Sequence, residues 1–138
     1  WLGSSLLYWA LSGLATGFAS AQETGDQINP SEPHVAVILP LQSASFGKHA
    51  DSVRLGVLHA AANEPADSLK VRIYATGEDP QQILSTYRQA TSLGARAVIG
   101  PLTRKGVTAL AQSAIISVPT IALNNAEGEV PLGQKEDS

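Results

Sequence analysis

Cysteine is missing from all 138 residues of the chain. Its absence excludes disulfides, thiolate metal sites, cysteine nucleophiles and lipid attachment through a cysteine. Charge is sparse as well: 15% of residues are charged, the formal net charge is −3, and no long run of one sign occurs. A nucleic-acid binder would show a basic face, so nucleic acid is not an expected partner. Neither Gly-x-Gly-x-x-Gly nor Gly-Lys-Ser/Thr is present, which argues against a nucleotide site, and no cofactor is expected. No serine stands in a Gly-x-Ser-x-Gly elbow. No low-complexity tract and no repeat of solenoid length is present. His49 and His59 fall on one predicted helix, roughly 15 Å apart at the helical rise, too far to share a metal. His34 is remote in sequence, and Asp51, at i+2 from His49, points to another face. These side chains read as solvated, and no metal is expected. Without an acid, base and nucleophile set the chain is not read as an enzyme, and no catalytic residue is assigned.

What is present begins with an uncharged apolar stretch, residues 1–21. Its short apolar centre runs from Leu6 to Leu14 and its end, Ala19-Ser20-Ala21, fits the small-x-small rule of a signal-peptidase site. The expectation is export with cleavage, leaving a periplasmic protein with no stable membrane span and no lipobox cysteine. The competing reading is an uncleaved anchor, because about 20 apolar residues can span a bilayer. The chain opens at Trp1 without a methionine or a positive n-region and therefore reads as a fragment at that end. Residues 22–33 are polar, hold Gly25, Pro30 and Pro33, and read as a linker. With a hydrophobic content of 43%, the remainder is long enough for one domain with a sizeable core.

From His34 onward the pattern alternates between strand and helix. His34–Leu39 is almost wholly apolar, as a strand covered on both faces should be, and Pro40 stops it. Gln42-Ser43-Ala44-Ser45 is a small polar loop before a helix running from about Phe46 or Gly47 to Asn63. Ala50, Val53, Val57, Ala60 and Ala61 form its inward stripe, with Leu55 outside it. Leu69–Ala75 alternates, with Leu69, Val71, Ile73 and Ala75 on one face, and reads as a less buried strand at a sheet edge. Asp79 caps a second helix with Pro80 at its first position and Gln82 placed to reach back. Ile83, Leu84, Tyr87, Ala90 and Leu93 are its stripe, and Gly94 ends it. Arg96–Ile99 is a third strand. After Gly100-Pro101-Leu102, Thr103 caps a third helix from Arg104 to about Ile115, with Val107, Leu110, Ala111 and Ala114 inward. Pro119–Leu123 is a fourth strand, and residues 126–138 form an irregular tail that reads as truncated.

The order β-α-β-α-β-α-β, with right-handed crossovers, predicts an α/β fold. It is a doubly wound parallel sheet of four strands in the order 2-1-3-4, over residues 34–125, with helices on both faces. The switch point then falls between the first and third strands. It sets the loops Gln42–Phe46 and Gly100–Thr103 side by side at the carboxyl edge. Ser43, Ser45, Thr103, Asn124 and Asn125 converge there as candidates to bind a partner or a small polar ligand. The competing reading is that they cap helices and form turns. Arg104-Lys105 is the basic pair beside this edge; it reads either as a contact for an acidic ligand or partner, or as two solvated side chains.

Several motifs in order resemble the first lobe of type 1 periplasmic binding proteins. They are Val35-Ala-Val-Ile-Leu-Pro-Leu41 with Phe46-Gly47 and Val53-Arg-Leu-Gly56, then Arg72-Ile-Tyr-Ala-Thr76, Ala97-Val-Ile-Gly-Pro-Leu102 and Val118-Pro-Thr-Ile-Ala-Leu-Asn124. The Gly-Pro-Leu turn and the Ala-Leu-Asn ending are most similar to the penicillin-binding protein activator family, the LpoA/LppC type. The resemblance covers about His34 to Asn125. It implies a non-catalytic protein that binds a peptidoglycan synthase (a penicillin-binding protein) and stimulates its transpeptidase activity. The chain departs from the family in having no cysteine after the signal and no preceding helical-repeat domain. The alternative is a solute-binding protein of an amino-acid-type uptake system. Pro101 and Leu102 offer fewer hydrogen bonds to an amino acid than a hydroxyl-rich loop would. A third reading, a stand-alone α/β enzyme, has no catalytic set to support it.

Overall fold

The computed structural model describes residues 32–128. The expected targeting segment 1–21, most of the 22–33 linker and residues 129–138 of the expected tail lie outside the described residues. The elements are β1 (His34–Leu39), α1 (Gly47–Ala62), β2 (Lys70–Ala75), α2 (Pro80–Ser92), β3 (Ala95–Ile99), α3 (Arg104–Gln112) and β4 (Thr120–Ile121). All strand pairs are parallel, in the order β2-β1-β3-β4. This is the expected α/β sheet, with its switch point between β1 and β3.

β1 occupies the centre because both its faces are apolar. Ala36, Val37, Ile38 and Leu39 are all buried, and alternate members serve opposite layers. Ala36 and Ile38 pack with Leu84, Tyr87 and Ala90 of α2, Val98 of β3 and Leu110 of α3. Val37 and Leu39 pack with Ala50, Val53 and Val57 of α1, joined by Val71 and Ile73 of β2. One helix therefore covers one face and two helices cover the other, as the alternation of crossovers across a switch point requires. Pro40 is buried and has no N–H for a ladder, so the strand stops there.

Local signals place most element ends. The Asp79 carboxylate accepts from the Gln81 backbone N–H at 3.0 Å, and Pro80 occupies the first helical position. Gln82 reaches back beyond the cap, accepting from the Gly77 N–H at 2.9 Å. Gly94, at φ 99°, follows the end of α2 in the left-handed region that glycine adopts without strain.

Several boundaries differ from the sequence reading; β3 begins at Ala95 rather than Arg96, and α1 ends at Ala62 rather than Asn63. β2 begins one residue later, and Leu69 lies outside it, half exposed at 49%. α3 ends at Gln112 rather than Ile115, because Ser113 turns to extended geometry and its hydroxyl donates back to the Leu110 carbonyl at 2.6 Å. β4 has two residues instead of five. Its partner β3 ends at Ile99, so the Leu123 N–H bonds to the Pro101 carbonyl in the following loop. In α1 the expected stripe is only partly inward: Ala50 is buried, Val53 and Val57 are half-buried, and Ala60 is exposed.

Candidate functional site

The carboxyl edge is built as two clamped pairs of loops. In the first pair, the loop after β1 is fastened to the loop after β2. The Gln42 N–H donates to the Thr76 carbonyl at 3.0 Å, and the Ser43 hydroxyl donates to Glu78 Oε2 at 2.8 Å. Ser43 Oγ in turn accepts from the N–H groups of Ser45 at 3.2 Å and Phe46 at 2.9 Å, ahead of α1. In the second pair, the loop after β3 is fastened to the end of β4. The Gly100 N–H donates to the Ile121 carbonyl at 2.8 Å, and Asn124 Nδ2 donates to the Leu102 carbonyl at 3.1 Å. Thr103 Oγ1 caps α3 by accepting from the Gly106 N–H at 3.3 Å.

Between the two pairs lies a cleft of about 400 Å³. Phe46 and Glu78 line it from the first pair; Thr103, Arg104, Lys105, Asn124 and Glu127 line it from the second. The cleft sits over the β1–β3 junction, where ligands of open α/β sheets are received. Its walls carry charge of both signs. Arg104 and Lys105 are exposed, and among the described residues neither is in an ion pair or side-chain hydrogen bond, whereas Arg54 on α1 pairs with Asp51 at 2.7 Å. They stand in the first turn of α3, where a cation opposes the helix dipole at a cost of about 0.3–1 kcal/mol each. Glu127 is tied over the same helix by its backbone N–H, which donates to Thr108 Oγ1 at 2.7 Å. Phe46 is 41% exposed and gives the cleft an aromatic lip.

The five polar residues expected at this edge are all there, but they do different things. Thr103 and Asn124 line the cleft. Ser43 stands behind it, buried, and orients Glu78. Ser45 and Asn125 are exposed and do not line it; the Asn125 N–H donates to Asn124 Oδ1 at 2.9 Å. The hydrogen-bonding groups of Ser43, Thr103 and Asn124 are engaged in loop-to-loop bonds and a cap. Phe46, Glu78 and Glu127 were not among the expected site residues. Phe46 carried a signal as the end of the Gln42–Phe46 loop at this edge, and Glu78 as an acidic residue in the loop after β2. Elsewhere, His34 is buried, its Nδ1–H donating to the Glu32 carbonyl at 2.7 Å while Nε2 lies 2.9 Å from the Tyr74 hydroxyl. Among the described residues no group of three metal-ligating side chains occurs, and no helix is long and apolar enough to cross a membrane.

The family model described as "LppC putative lipoprotein" matches residues 24–135. No curated protein and no solved structure matches the chain. The match corrects the expectation of an unanchored periplasmic protein. The family is one of lipoproteins, which are held through a lipidated cysteine, whereas the expectation rested on signal cleavage alone. The sequence contains no cysteine, so lipidation of these residues is not supported either. The match includes every strand and helix of the α/β fold, and the resemblance carried by the Gly100-Pro101-Leu102 turn and the Ala122-Leu123-Asn124 ending points the same way: this chain belongs to the LppC lipoprotein family, which is related to the penicillin-binding protein activators.

Proposed function

We propose that this protein is a non-catalytic regulator that binds a peptidoglycan synthase and stimulates its transpeptidase activity. The observation that carries the reading is the LppC match over residues 24–135. The geometry of the carboxyl edge supports it. Ser43, Thr76 and Thr103, buried hydroxyls at that edge, organise loops and a helix end: Ser43 donates to the Glu78 carboxylate while accepting from the Phe46 N–H, Thr76 donates to the Leu39 carbonyl, and Thr103 caps α3. The exposed groups of the cleft include charged and aromatic side chains, suited to contact with another protein. The test is direct. Purified chain is added to a purified bifunctional synthase, and both complex formation and peptide cross-linking are measured. Binding with raised cross-linking is expected; no binding and no change in cross-linking would overturn the proposal.

A second reading, capture of a small amino-acid-like solute, is favoured by one observation: the cleft presents Glu78 on one wall and Arg104 and Lys105 on the other. Titration calorimetry against an amino-acid panel tests it. Micromolar binding to the chain alone would favour this reading over the first.

A further inference from the structure

Resting on the synthase-binding reading, we infer that the carboxyl-edge cleft is the docking point for a surface segment of the synthase carrying charges of both signs. A carboxylate of that segment is set against Arg104 and Lys105, and a cation is set against Glu78. The first ground is charge complementarity. Arg104 and Lys105 are adjacent and exposed, and among the described residues neither has an ion-pair partner, so each raises the cost of the other until a carboxylate approaches. The second ground is the opposite wall. The Ser43 hydroxyl holds the Glu78 carboxylate at 2.8 Å, which fixes it at the mouth of the cleft and keeps it exposed. Glu78, in the loop after β2, and the basic pair, in the first turn of α3, stand on opposite sides of the β1–β3 junction, with Glu127 beside the basic pair, so the cleft carries charge of both signs rather than of one. The third ground is Phe46, whose exposed ring lines the same cleft and offers an apolar surface to the aliphatic stem of a long charged side chain.

A protein segment fits this site better than a free solute does. Enclosing a small zwitterion takes several convergent donors and acceptors. Here Ser43 and Asn124 direct theirs into the loops, and Thr103 directs its own to the N-terminus of α3. Charged groups at an open rim instead steer association and set orientation, and their effect falls as salt rises.

The experiment measures affinity of the full chain for immobilised synthase at low and at physiological salt. Wild type is compared with the pair Arg104→Glu and Lys105→Glu, the milder pair Arg104→Gln and Lys105→Gln, and Glu78→Lys. The charge-reversed pair is expected to bind about tenfold or more weakly at low salt, with the neutralised pair intermediate and a flattened salt dependence in both. All substituted side chains are exposed, so thermal midpoints serve as the check on folding. Wild-type binding that is unchanged in every variant overturns the docking point and leaves the functional reading standing. Failure of the wild-type chain to bind the synthase overturns both. Calorimetric binding of free glutamate or lysine to the chain, abolished by the charge-reversed pair, would make the cleft a small-solute site and also overturn the inference.

Discussion

Gly100 is the most constrained residue at the carboxyl edge. Its φ is +114°, and a Cβ placed there would lie 2.3 Å from the Ile38 carbonyl oxygen of the neighbouring strand. No side chain fits that approach, because the obstacle is backbone of the central strand. Gly100→Ala should destabilise the fold by more than about 2 kcal/mol, read as a lowered urea midpoint. Tyr87 is a second case, with a different cause. Its ring is fully buried against β1, and its hydroxyl lies between the Ser117 N–H at 3.3 Å and Thr120 Oγ1 at 3.0 Å. Thr120 donates onward to the Val118 carbonyl at 2.9 Å, so the Tyr87 hydroxyl donates to Thr120 and accepts from Ser117. Tyr87→Phe keeps the ring and breaks this chain, and should cost about 1 kcal/mol in chemical denaturation. At this scale the sequence was only half legible. Gly100-Pro101 could be read as the end of a strand, and Tyr87 as part of a buried stripe. That Gly100 abuts Ile38, or that Tyr87 meets Thr120, depends on strands brought together from distant parts of the chain.

At the scale of elements, helix starts were readable and helix faces less so. Asp79 and Thr103 cap as expected because a cap involves only the next few residues. α1 is harder to read, since alanine and leucine occur all round it. Its one fully buried residue is Ala50, while Leu55 is 54% exposed. Two substitutions separate these faces. Ala50→Leu adds volume against Val37 and Leu39 and should cost about 1–3 kcal/mol. Leu55→Glu, on the solvent side, should change stability by no more than about 0.5 kcal/mol. Thermal unfolding of the two variants checks the assignment, and equal losses would contradict it. Strand length was the least legible property. β4 is cut to Thr120–Ile121 because its partner β3 ends at Ile99, a limit imposed across the ladder rather than along the chain.

For the whole molecule, the sheet order implies a gradient of stability. β1 is paired on both sides and covered on both faces, whereas β4 pairs with β3 and carries Ile121 at 65% exposure. Native-state hydrogen exchange should therefore find the amides of Ala36–Leu39 among the slowest and those of Thr120–Ile121 among the fastest of the sheet. The same order locates the cleft. Strands β1 and β3 diverge in their onward connections, β1 into α1 on one face and β3 into α3 on the other, and the space above their junction is left open.

By itself the sequence determined the α/β class, the strand order and the two helix caps at Asp79 and Thr103. Apolar periodicity, proline stops and capping side chains act over a few residues, and the handedness of crossovers then leaves few topologies. It also located the carboxyl edge, through the prolines that end β1 and β3, and carried the motifs that the LppC match bears out. Only the tertiary structure decided what that edge presents. Ser43 and Asn124 are turned to stitching loops together and Thr103 to capping α3, and the exposed groups of the cleft include Phe46, Glu78, Arg104, Lys105 and Glu127. Those residues come from three loops and the first turn of α3, separated along the chain, and their meeting depends on strand order and loop packing, which local spacing does not encode.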